Sequence, residues 1–180
     1  MGMAAETVAG EFEALLRRVE VEFRNSLEEI TLSKDLQKLS LPTGALENLR
    51  AGSRLRVFRW VAEKLIEKGI AKPVDEIMDR KNILKLRWKE KNNPSELQPL
   101  PEYFYLRTRD LPSNRDEILP DLMDIHALRL GKLMNLAAKR ISPTILENLT
   151  AEEKVFYQTI LSIVNVWLKF IEPKGDGDGR

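Results

Sequence analysis

One stretch near the C-terminal end does most to limit what this chain can fold into. Thr150-Ala151-Glu152-Glu153 has the S/T-x-x-E form of a capping box and opens a helix expected to last to about Ile171. Along that helix Phe156, Ile160, Ile163, Trp167 and Phe170 make one apolar stripe, and Tyr157, Leu161, Val164, Leu168 and Ile171 make an adjacent one. A helix covering a small core needs a single stripe about 100° wide. Two stripes call for burial on two sides, either deep in a larger bundle or shared with another chain. The Ile and Val content lowers intrinsic helicity, so packing has to stabilise the segment. In a helical half this small, an intermolecular interface is favoured over a purely monomeric core.

Upstream, the periodicity changes several times. Val8, Phe12, Leu15 and Leu16 predict a short amphipathic helix over roughly 5–18. Val19, Val21 and Phe23 alternate with Glu20, Glu22 and Arg24, the pattern of a half-buried strand. Ile30 and Leu32, Leu39 and Leu41, and Leu55 and Val57 repeat that alternation, with turn chemistry at Pro42-Thr43-Gly44. Residues 19–58 therefore predict a β unit of three or four strands. A helix follows on Phe58, Val61, Ala62, Leu65 and Ile66. It stops at Gly69, which can take the left-handed C′ conformation, with Ile70 as the apolar contact beyond it and Pro73 blocking continuation.

Val74, Ile77, Leu84 and Trp88 fit a helical stripe that places Trp88 inward, although Leu84, Leu86 and Trp88 also alternate as a strand would. Residues 92–101, with Pro94, Pro99 and Pro101, read as a connector. A helix over Glu102 to Leu111 carries Tyr103-Phe104-Tyr105. Pro112-Ser113-Asn114 breaks it, and Asn114 with Glu117 forms a capping pair for a long helix to about Arg140, with Pro120 in its first turns. The expected class is α+β: a small N-terminal β-rich domain (1–72) with its N-terminal and capping helices, then a mostly α-helical bundle domain (73–172). A disordered tail (173–180) completes the chain.

Composition narrows the chemistry. With 29 Lys+Arg against 28 Asp+Glu, the net charge is +1, so no global excess points to DNA binding or to disorder. The absence of cysteine removes disulfides, thiol nucleophiles and cysteine-based zinc or iron–sulfur sites, and one histidine excludes His-pair metal sites. There is no apolar run of about 18 residues to span a membrane and no secretory pattern at the N-terminus, so a soluble intracellular protein is expected.

Individual candidates for chemistry are few. His126 lies on the stripe Leu119, Met123, His126, Leu130, Leu133 and Ala137 with no carboxylate at i±4 to orient it, so a packed histidine is favoured over a general base. Asp176 and Asp178 lack the further ligands of a calcium loop, and no phosphate-binding glycine loop occurs. Neither a catalytic nor a metal or cofactor constellation is visible. The densest basic run comprises Arg80, Lys81, Lys85, Arg87, Lys89 and Lys91 around Trp88. It could bind single-stranded nucleic acid through Lys85, Arg87 and Lys89, but an inward Trp88 would make it an ordinary solvated helix face.

The order of elements resembles the GINS family of replication-complex subunits, in the branch whose small β-rich domain precedes the helical one. Ser26-Leu27-Glu28-Glu29-Ile30-Thr31-Leu32 looks like that branch's early strand. The run from Arg54 to Leu65 looks like its strand-into-helix segment, with Val57, Trp60, Ala62 and Leu65 on the family's apolar positions. Leu100-Pro101-Glu102-Tyr103-Phe104-Tyr105 resembles its proline-plus-aromatic helix start. Asp124, Arg129, Lys132 and Leu133 match its D-x-x-x-x-R-x-x-K-[LI] pattern, and Leu149 to Glu153 resembles the opening of its last helix. Two departures stand out: Leu36 to Asn48 is long for that branch, and Pro120 is unusual in the long helix.

The resemblance implies a non-catalytic, cofactor-free scaffold for DNA replication, cytoplasmic and chromosome-associated. It would assemble with a sister GINS subunit, commonly as an archaeal heterotetramer, and join the MCM helicase and a RecJ-like protein in the replisome. DNA contact would be indirect or weak. Tyr103, Phe104, Arg129, Lys132, Leu133, Phe156, Ile160, Trp167 and Phe170 are the expected subunit-interface or core anchors.

Overall fold

The computed structural model describes residues 2–41, 44–74, 79–109, 111, 116–142 and 146–172. Pro42-Thr43, Ile77, Asn114 of the expected capping pair, and the tail with Asp176 and Asp178 lie outside them. The chain divides into two compact units, residues 18–77 and residues 1–17 with 78–180.

The first helix, α1 (Gly2–Arg24), is shared between the units at Arg17/Arg18. It includes Val19–Arg24, which alternation had assigned to a strand. Val19 and Phe23 are buried as an i, i+4 pair while Val21 is 58% exposed, the signature of a helical face. The intervening charges pair at helical spacing, Arg18 with Glu22 (3.3 Å) and Arg24 with Glu20 (3.0 Å).

The unit of residues 18–77 holds β1 (Leu27–Leu32), β2 (Leu36–Leu41), β3 (Gly44–Leu49), β4 (Arg54–Phe58), α2 (Arg59–Glu67) and β5 (Ala71–Pro73). β1 is central in an antiparallel sheet of order β4-β1-β5, with Ile30 opposite Leu55 and Leu32 opposite Ala71. The extra length between Leu36 and Asn48 is a hairpin: β2 pairs with β3, Leu39 opposite Leu46. Ile30, Leu32, Val57, Val61, Ala62, Leu65 and Ala71 form the core, and Leu36, Leu39, Leu41 and Leu49 of the hairpin pack against it.

α2 ends as its sequence dictates. Gly69 has φ 63°, its N–H bonds Ile66 O (2.9 Å), and Ile70 N–H bonds Leu65 O (2.9 Å). That pair of bonds is a Schellman motif, and it seats Ile70 against the core.

The other unit contains α3 (Arg80–Asn92), α4 (Phe104–Arg109), α5 (Leu119–Ala138) and α6 (Ala151–Ile171) with the first part of α1. Pro120 sits in the first turn of α5, where a missing N–H costs nothing, so the helix runs through without a break. Its core forms two apolar clusters. One gathers Ile83, Phe104, Ile118, Leu122 and Ile125; the other gathers Leu97, Leu133, Ala137, Leu149, Tyr157 and Ile160. α5 serves both, and along α5 the buried residues between them are charged.

Candidate functional site

Those charged residues are Arg129, fully buried, and Lys132, 9% exposed. Arg129 presents its guanidinium edge to Glu153 of α6: Nε donates to Oε1 at 2.8 Å, and Nη2 donates to Oε2. Nη1 reaches Glu90 Oε2 of α3 at 3.3 Å. The remaining donors go to the carbonyls of Gln98 (2.8 Å) and Asn148 (2.7 Å). Lys132 Nζ donates to the Glu90 carboxylate and to the carbonyls of Glu90 and Glu96, both at 2.9 Å. Two cations therefore face two carboxylates, and the network ties α3, α5 and α6 to the 92–101 connector and to Asn148 in the segment before α6.

Burial alone would lower the pKa of Arg129. The hydrogen bond and charge of Glu153, with the charge of Glu90, outweigh it and hold the guanidinium above its usual value. Tyr105 donates its hydroxyl to Glu153 Oε1 at 2.6 Å, and burial followed by the nearby Glu153 charge raises its pKa.

Glu153 also closes the predicted capping box. Its carboxylate accepts from Thr150 N–H (3.0 Å), and Thr150 Oγ1 accepts from Glu153 N–H (3.3 Å). The neighbouring Glu152 accepts from Leu106 N–H of α4 (3.1 Å). Asp124 pairs with Arg87 of α3 at 3.2 Å, and Asp121 pairs with the same guanidinium.

This network turns two helices away from the faces their apolar stripes predict. On α5 the buried residues are Asp121, Leu122, Ile125, Arg129, Lys132, Leu133 and Ala137, while Met123 and Leu130 lie 57% and 47% exposed. His126 is half-buried, its ring edge-on to Phe104 at 6.2 Å and beside Tyr105 at 5.0 Å. On α3, Glu90 is drawn inward to Arg129 and Lys132, so Ile83, Leu86, Arg87 and Glu90 form the inner side. Trp88, expected inside, is 66% exposed.

The residues singled out from sequence separate accordingly. Phe104, Leu133 and Ile160 belong to the two apolar clusters, with Phe156 packed at the edge of one; Tyr103 is half-buried at φ 55°. Lys85 is exposed on the side of Trp88, Lys89 is half-buried, and Arg87 is engaged by Asp121 and Asp124. Glu90, Tyr105 and Asn148 were not anticipated. A lone glutamate in a basic run is the one local sign of the first; the other two depend on long-range pairing.

The two stripes of α6 have different fates. Tyr157 is buried and Leu161, Val164 and Leu168 are half-buried, with Ile171 at the helix end 50% exposed. Beyond Ile160 the other stripe opens outward: Ile163 is 53%, Trp167 58% and Phe170 79% exposed, with Val166 (67%) beside them. Trp167 and Phe170 stack at 6.0 Å. The open face adjoins a groove of about 420 Å³ that α6 forms with Val8, Phe12 and Leu15 of α1.

The geometry defines a class of chain: an α+β protein whose buried charges fasten its own helical bundle, and whose last helix offers uncovered apolar surface. Among the described residues no His, Cys, Asp or Glu cluster could hold a metal ion, and no helix is long and apolar enough to cross a membrane. Residues 77–171, more than half of the 180-residue chain, match the Sld5 family model, the GINS complex protein helical bundle domain. The chain belongs to the GINS family, whose domain implies assembly with other GINS subunits in DNA replication. A search of curated proteins finds no match.

Proposed function

We propose that this chain is a non-catalytic scaffold subunit of a GINS complex. It joins sister subunits in a tetramer, as in archaeal assemblies that pair two kinds of chain, and supports the MCM helicase together with a RecJ-like protein at the replication fork. The observation that carries the reading is the open apolar face of α6, formed by Ile163, Val166, Trp167 and Phe170. Completing the burial of side chains of this size contributes roughly 5 kcal/mol before the costs of association. Trp167 and Phe170 are the aromatic type that concentrates binding energy at an interface centre. The second open apolar face, Met123, Leu130 and Met134 on α5, suits a subunit with more than one neighbour.

Co-expression with the sister subunit tests this, with the mass read by light scattering. The wild-type chain is expected to elute in a complex near four chains in mass, and Val166→Asp/Phe170→Asp to weaken assembly at least thirtyfold while keeping its helical circular dichroism. A chain that stays monomeric beside its sister subunit, or a double variant that assembles as well as wild type, contradicts the reading.

A further inference from the structure

Among the described residues the outward face of α3 contributes no side chain to the apolar clusters of the bundle. Lys81, Leu84, Lys85, Trp88 and Lys91 project from the side opposite Ile83 and Glu90, within about 120° of helical arc. All five are exposed, Trp88 at 66%. Among the described residues no carboxylate pairs with Lys81, Lys85 or Lys91, whereas Arg87 on the flank is neutralised by Asp121 and Asp124. The only acid of the helix, Glu90, is buried against Arg129 and Lys132.

We infer that this face binds single-stranded nucleic acid, with Trp88 stacking an unpaired base and Lys81, Lys85 and Lys91 following the phosphates. From Lys81 to Lys91 the cations run about 15 Å along the helix axis, enough to track several successive phosphates. An exposed indole among ammonium groups that no described carboxylate pairs provides both halves of such a site: a flat surface for any base and a polyanion-seeking field. A duplex offers the phosphates without a free base face. An acidic helix would need an apolar groove for its own anchors, and α3 shows beside Trp88 only Leu84 as a second exposed large apolar side chain.

The test is fluorescence anisotropy of a short labelled oligothymidylate with the full chain in its assembled form, over a range of salt. Binding is expected, with log K falling against log salt at a slope of about −2 for three lysine contacts. Trp88→Ala should weaken binding roughly ten- to hundredfold with the slope unchanged, and Trp88→Phe should restore most of it. Lys81→Gln/Lys85→Gln/Lys91→Gln should flatten the slope. All these side chains are exposed, so the variants should melt with wild type. Four results overturn the inference: no binding at low salt, indifference to Trp88→Ala, equal affinity for the matching duplex, or displacement by polyglutamate as effective as by unlabelled oligothymidylate. The last would mark an acidic protein as the occupant.

Discussion

The carboxylate of Glu153 that caps the N-terminus of α6 is the same one that receives the guanidinium fork of Arg129. One side chain thus ends a helix locally and locks it to α5 over a separation of 24 positions. Arg129 extends the tie to α3 through Glu90 and to two connector carbonyls. Replacing such a network by apolar side chains need not destabilise a core, but removing one partner leaves the others buried and uncompensated. Arg129→Met should therefore lower unfolding free energy by about 3–5 kcal/mol in urea titrations, a loss that surface salt bridges such as Lys64–Glu67 would not approach.

Thr150→Ala separates the cap from the network. It removes the hydroxyl that accepts from Glu153 N–H but leaves the fork in place. The expected cost is about 1 kcal/mol, well below that of Arg129→Met, with both measured in the same titration.

Alkaline titration reads Tyr105. Its phenol pKa is raised in the fold, chiefly by burial and then by the Glu153 charge, whereas the unfolded chain releases that proton near the ordinary pKa of about 10. The stabilisation is complete below that pH and is lost as pH rises above it, because only the unfolded state gains the phenolate. Tyr105→Phe should cost about 1–3 kcal/mol at neutral pH, through the lost bond to Glu153, and should lose less stability than wild type between neutrality and pH 11. Equal losses in the two proteins would show that Tyr105 does not carry the alkaline sensitivity.

Gly69→Ala tests the stop of α2. Beyond its chain neighbours, no atom of the described residues lies within 4 Å of an added Cβ, so the cost comes from holding alanine at φ 63°. It should be about 1 kcal/mol in thermal or urea unfolding.

These sites also show why some of the architecture was legible in the sequence and some was not. The end of α2 and the capping box of α6 are encoded within a few residues, and both formed as read. Val19–Arg24 misled because Val19, Val21 and Phe23 fit a period of two as readily as an i, i+4 pair with one exposed valine. The i, i+4 charges around them were the better signal. The hairpin partner β3 went unread because, apart from Leu49, its side chains are exposed and leave no alternation to detect. Trp88 and the α5 stripe were misplaced for one shared reason. Glu90, Arg129 and Lys132 rank as surface residues by type, yet they neutralise one another inside, and the buried faces rotate toward them. The uncovered stripe of α6 was legible because excess apolar surface is a property of the helix itself.

The central claim is that another subunit covers the far half of α6. The chain has no cysteine, so Val166→Cys places a single thiol in the middle of that face. Its rate of modification by a small maleimide should be near that of an exposed thiol in the isolated chain and fall at least tenfold once the sister subunit is bound. An unchanged rate in a complex of verified mass would show that the face stays open to solvent, and would contradict the account.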